Sequence, residues 1–312
     1  MTTPCPSTSS SDAVISVAGV SRHFGGRRAL DQVTLHVPRG AVFGLVGENG
    51  AGKTTLIQHI LGLLAPESGT VRVFGRDPVA DPIGVLGRTG YLSERRDLPG
   101  WMRIDELLRY TRAFYPRWDG EYAESLRQRF ALPSSQKVQT LSQGQQAKAG
   151  LIVALAFRPE LLLLDEPSSG LDPVVRREIL EAIIRTVAED RRTVFFSSHL
   201  LDEIERVCDH IAMIRAGRIV LFGRLDDIKQ GHRRLHLHFD EPCQAPPALE
   251  ALLTLEGAGR DWTGLFRGDP MRLLAMARAA GATVVAEEVP SLDEVFVAQT
   301  LVDARRGADP HV

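Results

Sequence analysis

The chain of 312 residues is 44% hydrophobic and 24% charged, which is ordinary globular composition with room for one large domain and a smaller one. Its 37 basic and 39 acidic residues give a formal net charge of −2, which excludes a general positive field that would recruit nucleic acid. Three cysteines, Cys5, Cys208 and Cys243, lie far apart, which excludes a disulfide framework and indicates a reducing compartment. The apolar runs are far shorter than the roughly 20 residues that span a bilayer, so we expect a soluble protein.

The chain begins with a polar segment, residues 1–12, that lacks a basic start and an apolar stretch, so we predict a disordered tail there. Alternation in VISVAGVSRHF and RALDQVTLHV predicts strands of an antiparallel sheet. The apolar run AVFGLVG then leads through GENGAGKTT into the periodic stretch LIQHILGLL. This order predicts strand, loop and helix, with the helix ending at Pro66 and Gly69 and SGTVRVFG returning as a strand.

A helical pattern follows from about residue 95 to 156, in IDELLRYTRAFY, YAESLRQRFAL and QAKAGLIVALAF. Two buried strands, LLLLD and TVFFSS, come next, separated by an amphipathic helix. Strands that alternate with helices predict a mainly parallel sheet covered on both faces. The segment IAMIRAGRIVLFG then predicts a hairpin that turns at Ala216 and Gly217.

The composition changes near residue 224, and we predict a first domain over residues 13–223 and a small C-terminal α/β appendage over residues 224–312. HRRLHLHFD alternates as a strand, DEPCQAPP predicts a linker, and PMRLLAMARAAGATVVAEEV predicts a helix followed by a strand. Three histidines in the first of these segments suggest a metal site, but no acidic or cysteine ligand has matching spacing. A solvated strand face is the favoured interpretation of His232, His236 and His238.

The glycine-rich segment Gly47–Thr54 fits the pattern G-x-x-x-x-G-K-[ST] between a predicted strand and a predicted helix, the context that identifies a phosphate-binding loop. Its glycines let backbone N–H groups close around phosphates, and the helix N-terminus adds partial positive charge. Lys53 would reach the β- and γ-phosphates, and the Thr54 hydroxyl would hold Mg²⁺. The loop therefore predicts a bound nucleotide with Mg²⁺, and the other predicted nucleotide contacts in this loop are Gly47, Asn49, Gly50, Gly52 and Thr55.

An acidic pair, Asp165 and Glu166, follows four leucines at the predicted end of a strand. In a P-loop enzyme such an aspartate lies beside the nucleotide and organises Mg²⁺. The adjacent carboxylate can orient the attacking water or accept its proton. Because a complete phosphate-binding loop accompanies the pair, we favour this interpretation over a simple acidic strand end before the turn at Pro167.

Further motifs occur in an order that resembles the ABC ATPases. LSQGQ at Leu141–Gln145 resembles the signature motif of that family and lies just upstream of LLLLDEP. SGLD at Ser169–Asp172 resembles its D-loop, and SSH, which ends at His199, resembles its switch histidine. Phe24 occupies the place of the aromatic residue that stacks on adenine, and YLSE at Tyr91–Glu94 lies where the family has its Q-loop.

The resemblance covers about residues 14–222 and implies the α/β fold of the P-loop ABC ATPases. That fold has a mainly parallel core sheet flanked by helices, an N-terminal antiparallel β subdomain and an inserted helical subdomain. It also implies that two domains pair head to tail, with each ATP between the phosphate-binding loop of one and the signature of the other. Glu166 would then be the general base, with His199 and Lys53 at the γ-phosphate and Asp172 linking the two sites. The signature residues expected at the nucleotide are Ser142, Gly144 and Gln145.

Two residues depart from the family pattern. Glu94 replaces the usual Q-loop glutamine; its carboxylate can still join Thr54 and Asp165 at Mg²⁺, but it adds negative charge near the triphosphate. We therefore expect altered metal dependence with activity retained. Gln143 replaces a signature glycine, so its side chain must point away from the nucleotide.

Within the family the chain is most similar to the ATPase subunits of bacterial ABC-2-type exporters, because of Glu94 and the segments YPRWD and SLDEVF. This resemblance implies a cytoplasmic ATPase on the inner face of the membrane, with a separately encoded integral membrane permease and a second ATPase subunit, identical or different. No nucleic-acid partner is expected. The alternative is a soluble ABC-type ATPase that acts on the ribosome or DNA, although such relatives carry two nucleotide domains or a long coiled coil, and this chain has neither.

Three further features do not by themselves indicate a function. Trp101, Tyr115 and Trp118 either pack in the helical subdomain or form a coupling surface for a membrane partner, and packing is favoured. The pairs Arg95–Arg96 and Arg191–Arg192 are interpreted as solvated loop ends. The C-terminal appendage is either a regulatory module or an element that stabilises a dimer.

Overall fold

The computed structural model describes residues 13–190, 192–243 and 252–307, and the chain forms two compact units, residues 1–222 and 223–312. The predicted tail with Cys5, and Arg191, lie outside the described residues. The strands that begin in the first unit are β1 (Ala13–Phe24), β2 (Arg27–Pro38), β3 (Val42–Val46), β4 (Ser68–Val73), β5 (Thr89–Leu92), β6 (Leu161–Asp165), β7 (Thr193–Ser198), β8 (His210–Arg215) and β9 (Arg218–Arg224). Its helices are α1 (Lys53–Ile60), α2 (Pro82–Leu86), α3 (Ile104–Arg112), α4 (Gly120–Arg129), α5 (Gln143–Leu155), α6 (Pro173–Asp190) and α7 (Leu201–Val207), with a 3-10 turn at Val138–Thr140.

A six-stranded sheet in the order β5-β6-β7-β3-β8-β9 forms the centre of the first unit. The neighbours from β5 through β8 pair in parallel. Every residue of β3, β6 and β7 is buried, which explains why these strands are continuous apolar runs without alternation. The predicted mainly parallel core sheet is confirmed, and β8 and β9 flank the predicted turn at Ala216 and Gly217.

A smaller antiparallel sheet, in the order β2-β1-β4, carries the alternating segments of the N-terminal sequence. Its inward-facing side chains, among them Ile15, Val33 and Val71, join one apolar core with Phe43 and Leu163 of the central sheet. Helices α3, α4 and α5 lie between β5 and β6 in the chain, as expected for an inserted helical segment. The predicted fold class is therefore confirmed.

The helix after the phosphate-binding loop is shorter than predicted. It ends at Ile60 and not at Pro66 or Gly69. Gly62 adopts a φ of +73°, and a Cβ atom there would lie 2.2 Å from the carbonyl oxygen of Pro78. A close backbone approach therefore ends the helix a turn early.

The second unit contains α8 (Leu225–Gln230), β10 (His232–Cys243), β11 (Leu252–Arg267), α9 (Pro270–Ala279), β12 (Ala282–Glu288) and α10 (Leu292–Gly307). Its strands form an antiparallel sheet in the order β11-β10-β12, around a core that includes Leu235, Leu237 and Phe266. Strand β10 continues through DEPC, so this half of the predicted linker is strand; the other half lies outside the described residues.

The three histidines of β10 have two different environments. His232 is 2% exposed and its Nδ1 lies 2.6 Å from the carbonyl oxygen of Ile228, so the prediction of a solvated position is wrong for this residue. His236 and His238 are partly exposed and interact across the sheet, at 3.1 Å with Thr263 and 2.7 Å with Asp261. No group of acidic, histidine and cysteine side chains suited to a metal ion occurs among the described residues.

Candidate nucleotide-binding site

The predicted phosphate-binding loop connects the buried end of β3 to the start of α1. Gly52 precedes α1 with a φ of +113°, and a Cβ atom there would lie 2.6 Å from the carbonyl oxygen of Ala29. A Cβ atom on Gly47 would lie 2.3 Å from the carbonyl oxygen of Ile214. Glycine is therefore required at both positions, because neighbouring backbone approaches too closely for any side chain.

Lys53 is the first residue of α1, and its side chain is only 5% exposed. Its Nζ donates to the carbonyl oxygens of Gly47 at 2.5 Å and Glu48 at 3.2 Å. The same Nζ lies 2.9 Å from Oε1 of Glu166. The ammonium group is thus held inside the loop by oxygen atoms at positions from which it can turn toward a phosphate.

Asp165 is the last residue of β6 and Glu166 follows it directly, and both are buried. The hydroxyl of Ser197 in β7 donates to Asp165 at 2.7 Å and accepts from the backbone N–H of Glu166 at 2.9 Å. This hydroxyl fixes both acidic residues because Asp165 and Ser197 are paired across the parallel strands. Glu166 has a φ of +46°, a strained backbone conformation that is common at functional sites.

The electrostatic environment of Asp165 suits a cation. Burial raises the pKa of the Asp165 carboxyl, although hydrogen bonds from Ser197 and Thr54 act in the opposite direction. A cation placed at this carboxylate would compensate for its poor solvation. Hydroxyl and carboxylate oxygens are hard ligands of the type that Mg²⁺ prefers, so Thr54 and Asp165 fit that ion.

His199 follows β7 and completes the cluster at the strand ends. Its Nδ1 lies 2.8 Å from Oε2 of Glu166, and its side chain is 37% exposed. Each carboxylate oxygen of Glu166 therefore has its own basic partner, Lys53 or His199. The structure thus brings together five predicted residues that the sequence spreads over about 145 positions: Lys53, Thr54, Asp165, Glu166 and His199.

The predicted signature forms the exposed N-terminus of α5. Ser142 and Gln145 make a capping box, in which each side chain accepts from the backbone N–H of the other, at 3.2 and 3.0 Å. Gly144 is buried against α6, and a Cβ atom there would lie only 2.9 Å from Val175. Gln143 is exposed, and its Oε1 lies 3.2 Å from the Cβ position of Gly170.

Asp172 is an exposed residue that caps the start of α6. Its Oδ1 accepts from the backbone N–H groups of Val174 and Val175 at 3.0 and 3.1 Å. The predicted D-loop is therefore held at its C-terminal end by the helix that follows it. Like the signature, it presents its polar groups at the surface of this unit.

Phe24, the predicted adenine-stacking residue, ends β1 and is 44% exposed. The guanidinium of Arg22 lies 4.9 Å from its ring centre. Arg27, which pairs with Phe24 in the sheet, donates to the carbonyl oxygen of Gly50 at 3.5 Å. Arg27 therefore links the aromatic residue to the phosphate-binding loop, a contact that sequence analysis missed because nothing in the local pattern indicates it.

Glu94 is exposed on the loop that follows β5. Two residues later, Arg96 adopts a φ of +54° and donates from Nη2 to the carbonyl oxygen of Ser169 at 2.5 Å. The interpretation of Arg96 as a solvated loop end is therefore wrong, because it connects this loop to the predicted D-loop. The same interpretation is wrong for Arg192, which is only 5% exposed and has its guanidinium 6.0 Å from the centre of the Tyr122 ring.

The aromatic residues of the helical segment divide between packing and exposure. Tyr115 stacks on Phe157 with ring centres 3.8 Å apart, as the packing interpretation predicts. Trp118 is half-buried, whereas Trp101 is 69% exposed.

Among the described helices, none has the length and apolar character needed to cross a membrane.

Comparison with known proteins agrees with this site. The model of the family described as ABC transporter matches residues 30–169. Daunorubicin resistance ATP-binding protein DrrA3 of Streptomyces coeruleorubidus is 33% identical over 94% of this chain and 98% of its own length. A solved ATP-binding subunit of an ABC transporter is 31% identical and superposes with a TM-score of 0.64, covering 69% of this chain and 92% of its own.

A dimeric ATP-binding cassette bound to ADP and phosphate has the same fold, with a TM-score of 0.61 over 68% of this chain and 98% of its own length. Its identity is only 22%, so this likeness concerns the fold alone. The alignment with the relative from Streptomyces, in contrast, extends through both units of this chain. The chain therefore belongs to the ATP-binding proteins of the ABC transporter family.

Proposed function

We propose that this protein binds and hydrolyses MgATP at the interface of a head-to-tail dimer and thereby drives a separate membrane permease. The observation that carries the proposal is the buried contact of Lys53 with Glu166, supported from the other side by His199. A lysine of the phosphate-binding loop and a candidate general base thus lie at one point, beside the candidate Mg²⁺ ligand Asp165.

The chain's own groups can carry out hydrolysis by positioning and charge stabilisation. Lys53 would exchange the carbonyl oxygens of Gly47 and Glu48 for phosphate oxygens, which also frees one oxygen of Glu166. That oxygen would accept a proton from water while His199 holds the other. Mg²⁺, held by Thr54 and Asp165, would neutralise charge on the phosphates.

The exposed signature and D-loop support the dimeric arrangement. The N-terminus of α5 presents the Ser142 hydroxyl and backbone N–H groups at the surface, where an anion would be favoured. Asp172 is exposed at the next helix start. These groups would act on the nucleotide of the partner subunit, either a second copy of this chain or a different ATPase subunit.

An apolar groove of the first unit supports the docking of a membrane partner. Leu61, Leu63, Tyr91, Tyr115 and Phe157 line this groove, and Leu63 is 62% exposed. We assign it to an apolar helical segment at the cytoplasmic face of the permease, which would hold this chain peripherally at the inner face of the membrane. The resistance function in the name of the Streptomyces relative favours an exporter.

The test is purification of the tagged full-length protein from native membranes in mild detergent, with identification of the chains that accompany it. We expect a polytopic membrane protein in near-stoichiometric amount, and Leu63→Glu should reduce its recovery whereas the exposed Glu121→Gln should not. Recovery with ribosomes or nucleoprotein, and without a membrane chain, would contradict the transport proposal and favour the soluble ATPase.

A further inference from the structure

A buried carboxylate outside the predicted site connects three of its segments. Glu203 lies in the first turn of α7 and is 3% exposed. Its Oε2 accepts hydrogen bonds from the hydroxyls of Ser168 and Ser198, both at 2.8 Å. Its Oε1 lies 3.3 Å from Nε of Arg176. A buried carboxylate is costly unless such groups compensate its charge, so these contacts fix where it lies.

The partners of Glu203 are distributed around the hydrolysis site. Ser168 comes two residues after Glu166, and Ser198 immediately precedes His199. Arg176 lies in the first turn of α6, where its backbone N–H donates to the carbonyl oxygen of Asp172 at 3.0 Å. One carboxylate therefore contacts the segments that carry the candidate base, the switch histidine and the D-loop aspartate.

We propose that Glu203 is a positioning residue for ATP hydrolysis, which sets the placement of Glu166, His199 and Asp172 relative to one another. This inference rests on the proposed ATPase function. Within the part of the chain that the structure describes, the polar contacts of Glu203 are with Ser168, Ser198 and Arg176, and none of these three is a reacting group or part of the phosphate-binding loop. Its loss should therefore impair turnover while ATP binding by the loop is retained.

The simplest alternative is that Glu203, an acidic residue in the first turn of α7, only stabilises the positive N-terminal end of the helix dipole. Asp202 occupies the same turn and is exposed, whereas Glu203 points its two oxygens at groups from three other segments. Asp202→Asn is thus the matched control: it removes a charge from the same helix start and leaves the buried network intact.

The experiment compares steady-state ATPase kinetics of full-length wild type with Glu203→Ala, Glu203→Gln and Asp202→Asn, using the folded fraction of each. We expect Glu203→Ala to lower kcat about 10- to 100-fold with KM for ATP unchanged, as is typical for groups that orient functional residues. Glu203→Gln should recover most of kcat, because its amide oxygen can still accept from both hydroxyls. Asp202→Asn should match the wild type.

Should Glu203→Ala fail to fold, the pair Ser168→Ala and Ser198→Ala removes both donors with minimal change in volume and should lower kcat in the same way. Unchanged kcat in Glu203→Ala or in the double serine variant would overturn the positioning role, and so would a loss of ATP affinity as large as the loss of kcat. In both cases the proposed function would stand, because the wild type would still hydrolyse ATP. Wild-type protein without any ATPase activity would overturn both.

Discussion

Lys53 and Glu166 form a buried contact of 2.9 Å in which both side chains are no more than 5% exposed. The two residues come from different segments, the start of α1 and the position just after β6, which only the parallel sheet brings together. A bound nucleotide would compete with Glu166 for the ammonium group. This relationship connects catalysis with stability and leads to two separate predictions.

Glu166→Gln should abolish hydrolysis while ATP still binds. The amide cannot accept a proton, so we expect turnover to fall by about 100-fold or more. Because the amide attracts Lys53 less than the carboxylate does, ATP affinity should be retained or increased. ATPase assays together with light scattering of ATP-loaded protein should show an ATP-bound dimer, and Glu121→Gln serves as the control. A mutant that stays monomeric at high concentration, even with the membrane partner present, would contradict the dimer mechanism.

Lys53→Met should destabilise the nucleotide-free protein. Removal of the lysine leaves the buried Glu166 with His199 as its one basic partner, and loss of one partner of a buried ion pair typically costs about 3–5 kcal/mol. The double variant Lys53→Met, Glu166→Gln should recover most of this loss, because it removes both charges. The free energy of unfolding from urea titration measures the effect, and equal stability of Lys53→Met and wild type would mean that the contact is unimportant in solution.

The phosphate-binding loop was predictable because its chemistry is local. The motif has fixed spacing between an apolar run and a helical pattern. The structure places its residues Gly47, Gly52, Lys53 and Thr54 between the end of β3 and the first turn of α1. The continuous burial of β3, β6 and β7 was equally predictable from their unbroken apolar runs.

Contacts between distant segments were not predictable from such patterns. Ser197 fixes Asp165 across paired strands, and Arg96 reaches the carbonyl oxygen of Ser169, 73 positions away. The first contact depends on the register of two strands and the second on the backbone conformation at Arg96. A single sequence does not encode either of these locally. Glu203 had only a weak signal, an acidic residue four positions after His199.

Gly52→Ala should distort the phosphate-binding loop. A φ of +113° is unfavourable for alanine, and the new Cβ atom would lie 2.6 Å from the Ala29 carbonyl oxygen. We expect a loss of about 1–3 kcal/mol in the free energy of unfolding and weaker ATP binding. Gly120→Ala is the control, because it has ordinary φ and no atom within 4 Å of the new Cβ, and it should be neutral or stabilising. Equal behaviour of the two variants would contradict the steric argument.

Glu94→Gln should change the metal dependence of the ATPase. A carboxylate binds Mg²⁺ more strongly than an amide, so the variant should need a higher Mg²⁺ concentration for half-maximal activity while it retains activity at saturating Mg²⁺. Magnesium titrations of ATPase activity at fixed ATP measure the shift, with Glu121→Gln again as the control. An unchanged titration would remove Glu94 from the set of predicted metal ligands.

The buried His232 should make the second unit sensitive to mild acid. Burial lowers the pKa of His232 below its usual 6.5, an effect to which the charge of Arg267 contributes, although the hydrogen bond to Ile228 opposes it. Above 6.5 the imidazole is neutral in both the folded and the unfolded chain, so its contribution to stability is fully present. As the pH falls below 6.5, the unfolded chain gains a proton that the folded unit resists, and stability decreases until the lowered pKa is reached.

His232→Gln tests this assignment because glutamine keeps a donor near the Ile228 carbonyl but does not titrate. The free energy of unfolding of the wild type should fall more steeply with pH below about 6.5 than that of the variant. His238→Gln, which changes a partly exposed histidine of the same strand, is the matched control and should retain the steep wild-type dependence. Parallel curves for wild type and His232→Gln would show that burial of this imidazole does not govern the acid sensitivity of the second unit.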